Sequence, residues 1–258
     1  MGCSLGDKMG FGDEIMATGI AKRLHKETGK KVAFGRNNSL VKSQWSDLIF
    51  KNNPKIASHA DLPDVVWNNF CVGSRGYIKS NTSSNMLWNE DFKAEKGEFF
   101  FTPEDDLGLA FPDNFVVIEP HTKQTVSADN KQWPVERMQE VVDTRAAPFI
   151  QFDYGKPILN NVIPIKTRNI REAAFIVSKA KAMVTMEGGM HHISAALNIP
   201  AVVIFSGYIS PGITGYEGHI NLYKAAYSCG SLKSCPHCKE ALGNITTEEV
   251  ILALHRLL

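Results

Sequence analysis

Residues 182–205 read AMVTMEGGMHHISAALNIPAVVIF. A β-prone run ends at Glu187, the pair Gly188-Gly189 follows, MHHISAALN carries helical spacing, and AVVIF is apolar again. Strand, tight turn, short helix and second strand in so little chain imply a parallel sheet covered on both faces. A turn of this kind leaves backbone N–H groups unpaired at the positive end of a helix dipole, which suits a phosphate. His191 and His192 fall in that helix's first turn. The competing reading is a glycine pair needed for backbone geometry, with histidines satisfied by the core.

The same alternation extends outward. FVVIEP (115–120) reads as a buried strand, WPVERMQEVV (133–142) as a helix with Pro134 at its start, and APFIQFDYG (147–155) as a strand. NIREAAFIVSKAKA (169–182) places Ile170, Ala173, Ala174 and Val177 on one helical face, and TTEEVILALHRLL (246–258) opens with Thr246 and Glu249 at capping-box spacing. Near the start, DEIMATGIAKRLHKETG (13–29) predicts a helix stopped by Gly29, followed at once by the strand KKVAFG. Only Met1–Leu5 precede the loop GDKMGFGD, so a first strand is at most a stub. Residues 37–110 are less regular, with strands expected at DVVW (64–67) and EFFF (98–101). TPEDDLGLAFPDN (102–114) lacks periodicity and reads as a boundary between lobes 1–110 and 111–258.

Composition excludes several classes. The 258 residues are 43% hydrophobic and 21% charged, ordinary globular values that exclude disordered, collagenous and coiled-coil chains. No apolar run approaches the roughly 18 residues of a membrane span, and Met1–Leu5 is followed by Gly6, Asp7 and Lys8, so the chain is read as soluble and cytoplasmic. A net charge of +1 conceals 10 Lys/Arg against 5 Asp/Glu in residues 1–60 and 4 against 9 in residues 61–110. The basic run with Lys22, Arg23, Lys26, Lys30 and Lys31 is either a solvated face or a guide for an anionic acceptor. Of five cysteines, Cys229, Cys235 and Cys238 cluster with His237 as C-x5-C-P-H-C. That spacing is compatible with a structural zinc or iron, against unliganded thiols or one disulfide.

A second segment, EPHTKQTVSADNKQWPVERM (119–138), ends a strand at Glu119-Pro120 and places Lys131 just before Trp133-Pro134. Two such loops at strand ends of one sheet can converge on one ligand. KQWP together with EGGMHHISAALNIP resembles the donor-binding lobe of the ADP-heptose:lipopolysaccharide heptosyltransferase family, with its K-x-W-P and D-x-G-x-x-H-x-x-A-A-L-x-x-P segments in the same order. The opening GFGDEIMATG is similar to that family's G-D-x-x-x-x-T loop and helix.

The resemblance implies an α/β fold of two Rossmann-like domains facing across a cleft, a B-type glycosyltransferase. Residues 1–110 would form a reduced acceptor-side lobe and residues 111–258 the nucleotide-sugar lobe. Asp13 matches the family's general base, Lys131 its diphosphate-binding lysine, and Gly189 and His192 its phosphate-proximal pair. Glu187 stands where the family has Asp, one methylene longer. Thr122 and Gly188 complete the donor-binding set, and Lys22 and Arg23 are placed on the acceptor side. The chain contains no D-x-D triplet, the carboxylate pair of metal-dependent transferases. The expected activity is therefore inverting, metal-independent transfer from a nucleoside-diphosphate sugar to a glycan or other anionic acceptor, with no cofactor required for catalysis. The rivals are a DNA glycosyltransferase acting on hydroxymethylated bases, disfavoured by the absence of dense Lys/Arg clusters, and an inactive sugar-nucleotide-binding protein, which would not need Asp13.

Overall fold

The computed structural model describes residues 10–70, 74–122 and 126–258. The expected stub Met1–Leu5, with Cys3, and Cys71 lie outside these residues. The chain begins with α1 (Phe11–Thr28), followed by β1 (Lys31–Arg36), β2 (Ser39–Leu40), α2 (Ser46–Ile49), β3 (Val65–Asn68), β4 (Ile78–Asn81) and β5 (Met86–Trp88). The second half runs β6 (Val116–Glu119), α3 (Val126–Asp129), α4 (Val135–Asp143), β7 (Phe149–Phe152), β8 (Ile163–Ile165), α5 (Ile170–Val177) and β9 (Ala182–Met186). It ends with α6 (Gly189–Ala196), β10 (Ala201–Phe205), α7 (Pro211–Thr214), β11 (His219–Tyr223), α8 (Pro236–Gly243) and α9 (Thr247–His255). Among the described residues no helix is long and apolar enough to cross a membrane.

A six-stranded parallel sheet in the order β11-β10-β9-β6-β7-β8 organises the second half. Its central strands β6, β9 and β10 are buried along their length and largely apolar, because both faces are covered there. Successive residues alternate between faces. Val116 and Ile118 join Trp133, Met138 and the α9 residues Val250 and Leu254 in one core. Phe115 and Val117 join Ile150, Ile176, Met183, Ile193 and Val203 in the other. The first half supplies a small sheet, β2-β1-β3, in which β1 and β3 are parallel and β2 is antiparallel to β1, and a separate β4-β5 hairpin. α1 ends where Gly29 adopts φ 71°, a left-handed conformation that favours glycine and lets its N–H close on the His25 carbonyl. The Thr246–Glu249 capping box at α9 forms as its spacing predicts.

Two expectations are revised. EFFF is not a strand: Glu98 N–H donates to Thr18 Oγ1 (2.8 Å) and the Phe100 carbonyl accepts from Arg171, so side chains satisfy this backbone in place of a ladder. Its aromatic character serves packing instead, Phe99 stacking on Phe101 and Phe101 meeting Phe175 edge-on. Pro134 caps α4 from outside and is not its first helical residue. Strands β8 and β11 at the two sheet edges, and the β4-β5 hairpin, were not anticipated, being short and only partly buried.

Candidate active site

The connections of the large sheet reverse direction between β6 and β9: the chain passes from β6 outward through β7 and β8, then returns to lay β9 on the other side of β6. Open α/β sheets bind ligands at such a switch point, beyond the strands' carboxyl ends. Glu119 and Thr185 stand opposite one another at that end, and the Glu119–Lys131 loop and the Glu187-Gly188-Gly189 turn leave from it.

The start of α1 docks against the start of α6. A Cβ on Gly12 would lie 2.8 Å from His192 Cδ2, and one on Gly189 would lie 2.0 Å from the Phe11 ring, so both glycines are required for this approach. Two helix N-termini, each the positive end of a dipole, thus lie in contact. Asp13 sits in the first turn of α1, buried, accepting a hydrogen bond from Tyr77 Oη at 2.5 Å and one from Gly10 N–H at 3.2 Å. Burial first, then the charge of Asp13, drives the Tyr77 phenol well above its ordinary range, so Tyr77 is a permanent donor.

Lys131 forms an ion pair with Glu187, and its ammonium lies 4.7 Å from the centroid of the Tyr208 ring. Burial opposes the lysine's charge, but Glu187 and its other neighbours outweigh this and hold its pKa above the usual value. Asp13 also contributes to that field, which places Asp13, Lys131 and Glu187 in one electrostatic cluster.

The two histidines separate in role. Gly188 N–H donates to His191 Nδ1 (2.9 Å) and His191 Nε2 donates to the Thr214 carbonyl (2.9 Å), so His191 is neutral and fully used by the turn. His192 Nδ1 bonds Tyr216 Oη at 2.7 Å, burial holds the ring's pKa well below its ordinary value, and Nε2 faces Gly12. Thr122 is tied into its own loop, its hydroxyl reaching the Ala128 carbonyl (3.1 Å) and Gln132 Oε1 (3.2 Å) and its N–H donating to Gln132 Oε1 (3.0 Å). Lys22 and Arg23 lie exposed further along α1, roughly 15 Å from Asp13 at 1.5 Å rise per residue. Arg23 pairs with Glu95 and Glu27, and Lys30 and Lys31 with Asp64 and Asp61. Tyr77, Tyr208 and Tyr216 carry no signal in the sequence, because no spacing links them to the motifs they support.

A second cluster lies nearby. Cys229 Sγ is 3.3 Å from Cys238 Sγ and 3.7 Å from Cys235 Sγ, and a His237 nitrogen is within 4.8 Å of the sulfurs. These gaps far exceed an S–S bond of about 2.05 Å, and all three thiols are free. They approach the roughly 3.8 Å edge of a tetrahedron with metal–sulfur bonds of about 2.3 Å. Both His237 ring nitrogens are buried with no oxygen or nitrogen partner among the described residues. The ring stacks on Tyr227 at 4.2 Å and fits only because residue 207 is glycine, where a Cβ would come within 2.4 Å of it. The Cys238 thiol, hydrogen-bonded to Cys229, favours the Cys229 thiolate while its own ionisation is pushed up, so the pair shares one negative charge of the kind that binds metals. The donor set therefore fits zinc or iron.

Among solved structures, the bacterial iron-containing dodecameric glycosyltransferase TibC from enterotoxigenic E. coli H10407 matches 97% of this chain and 74% of its own, at 13% identity and TM-score 0.65. The glycosyl transferase family 9 protein from Veillonella parvula DSM 2008 matches 96% of this chain and 94% of its own, at 14% identity and TM-score 0.62. The chain has the fold of the heptosyltransferase-like, B-type glycosyltransferases. E. coli ADP-heptose lps heptosyltransferase II matches 67% of this chain but only 54% of its own length, at 17% identity and TM-score 0.49. No family model matches the sequence, and no curated protein matches it.

Proposed function

We propose that the chain is an inverting glycosyltransferase that moves a sugar from a nucleoside-diphosphate donor to an acceptor hydroxyl without a catalytic metal. One observation carries this reading: Asp13, Lys131 and the Gly188-Gly189 turn, far apart in sequence, meet at the sheet's switch point. Asp13 accepts the acceptor's proton, the freed oxygen attacks the anomeric carbon from one face, and the bond to the donor phosphate breaks on the other. The electron pair leaves on the diphosphate, whose charge meets Lys131, the Gly188-Gly189 amides and the start of α6. His192 and Thr122 line the donor side, and Glu187 exchanges its hold on Lys131 for a sugar hydroxyl. Residues 1–110 form the acceptor-side lobe and 111–258 the donor lobe.

The acceptor is a glycan. Within the basic run, Arg23, Lys30 and Lys31 are paired with Glu27, Glu95, Asp64 and Asp61, which does not favour a DNA duplex. Lys22 and Arg23 would serve only an anionic acceptor long enough to reach from Asp13 along α1. Cys229, Cys235, Cys238 and His237 would hold a structural zinc or iron, in keeping with the iron-containing TibC. Such an ion would cross-link the loop and α8 and take no part in transfer.

The test is a panel of nucleoside diphosphates and nucleotide sugars. A ligand at 100 times its dissociation constant stabilises the fold by about 2.7 kcal/mol, and the best donor should then label a glycan acceptor in the presence of EDTA. Asp13→Asn should abolish transfer and keep donor affinity. Turnover near wild type in that variant, or turnover restored only by magnesium, would overturn the mechanism; metal analysis decides the cysteine site separately.

A further inference from the structure

The side chain of Asn130, the residue before Lys131, is buried and turned away from the switch point into the cysteine loop. Its Nδ2 donates to the Ser231 carbonyl at 3.0 Å and the Lys233 carbonyl at 2.7 Å, and its Oδ1 accepts from Cys235 N–H at 2.9 Å. One amide thus uses both of its donors and its acceptor on a single loop, the one that carries Cys229 and Cys235. The backbone on the other side of Asn130 is set by the turn closing α3, where Lys131 N–H reaches the Ala128 carbonyl at 2.9 Å.

A second connection runs from the same loop to the same lysine. Cys229 N–H donates to the Gly207 carbonyl (2.8 Å) and Gly230 N–H to the Tyr208 carbonyl (3.0 Å), fixing the segment whose Tyr208 ring lies under the Lys131 ammonium. Trp88 Nε1 holds the Tyr208 carbonyl as well, at 2.7 Å. The cysteine loop therefore governs both the backbone from which Lys131 departs and the ring on which its charge rests.

We propose that Asn130 is a positioning residue through which the Cys229–Cys238 loop sets the place of Lys131, so that order at the cysteine cluster is read out as affinity for the donor diphosphate. The inference rests on the reading of Lys131 as the diphosphate-binding lysine. A buried amide with three hydrogen bonds holds one loop conformation, and a lysine held in place loses less freedom when it takes up a ligand.

The experiment titrates ADP and inorganic pyrophosphate calorimetrically into four proteins: wild type, Asn130→Ala, Lys131→Ala and the double variant. Asn130→Ala should weaken both probes about tenfold in the wild-type background and cause no further loss once Lys131 is gone, since its effect passes through that side chain. An Asn130→Ala variant that binds like wild type, or one whose loss adds fully to that of Lys131→Ala, overturns the inference and leaves the donor reading standing. Lys131→Ala binding as well as wild type sinks both. Should Asn130→Ala fail to fold, blocking the thiols of wild type and Lys131→Ala with an organomercurial runs the same comparison on folded protein. Affinity should fall in wild type alone, and unchanged wild-type affinity is the contrary result.

Discussion

Asp13 accepts from the Tyr77 hydroxyl, a group with no sequence signature, and that bond makes a prediction about pH. A donor that favours an ionised carboxylate keeps it ionised to lower pH. Tyr77→Phe should therefore move the acid limb of the pH–rate profile upward and lower turnover, with ADP affinity kept. Glu14 on the same helix and Lys131 interact with the Asp13 charge, Arg75 and Glu187 act on Tyr77 itself, and all four remain in the variant. An unshifted acid limb would assign Tyr77 to packing alone, where its ring contacts with Trp88 and Phe92 already place it.

Glu119, at the carboxyl end of β6, carries a different pH signature. Burial raises its carboxyl to about 7, against hydrogen bonds from Tyr154 and His121 N–H that oppose the rise. Between its ordinary 4.5 and about 7 the folded protein holds a proton that the unfolded chain releases, so stability falls as pH rises through that window. The loss is at most about 3 kcal/mol. Urea unfolding at pH 5 and pH 8 should show this decline in wild type and a smaller one in Glu119→Gln. Equal slopes in the two proteins would mean that Glu119 is solvated in solution.

At the scale of elements, what could be read from the sequence is what repeats. α1, α4, α5 and α9 announce themselves because apolar residues recur at helical spacing, and β6, β9 and β10 because buried parallel strands are apolar throughout. The two loops proposed to hold the donor are legible for the same reason: the strands that end in them are. β8, β11 and the β4-β5 hairpin carry too few residues to establish a period, and the aromatic run at 98–101 imitates a strand while its backbone is bound by side chains.

Arg171 accounts for much of that misreading. Fully buried on α5, it forks onto Asp105 through Nε (2.8 Å) and Nη2 (2.6 Å) and reaches the carbonyls of Leu48 and Phe100 at 2.9 and 2.6 Å. One guanidinium thereby pins α2, the extended aromatic segment and the turn at Pro103–Asp105 to the large sheet's helical layer. Burial presses the Asp105 carboxyl upward, but Arg171 and Thr102 outweigh it and hold it below its usual value. Arg171→Ala strands a buried carboxylate and should cost about 3–5 kcal/mol, seen as a lower urea midpoint. A loss under about 1 kcal/mol, the worth of an exposed pair, would show that water reaches this fork.

For the whole molecule, charge balance across the first lobe bears on the acceptor. If Lys22 and Arg23 receive an anionic acceptor, reversing both to Glu should raise the acceptor KM and flatten its dependence on salt, with donor affinity unaffected. An unchanged KM would leave them as a solvated face, consistent with the pairing of Arg23. Sequence patterning could not decide this, since a charged helix face looks the same whether it meets water or a substrate.

The meeting of α1 and α6 through Gly12 and Gly189 has a consequence for how such a site can change over time. Part of the positive potential offered to a diphosphate belongs to the main chain, which side-chain substitution leaves in place provided the two glycines stay. In the proposed mechanism the sugar has no such insurance, because a single carboxylate, Glu187, stands at the turn. Under that mechanism the grip on a leaving diphosphate is inherited with the fold, whereas the choice of sugar is open to a one-residue step.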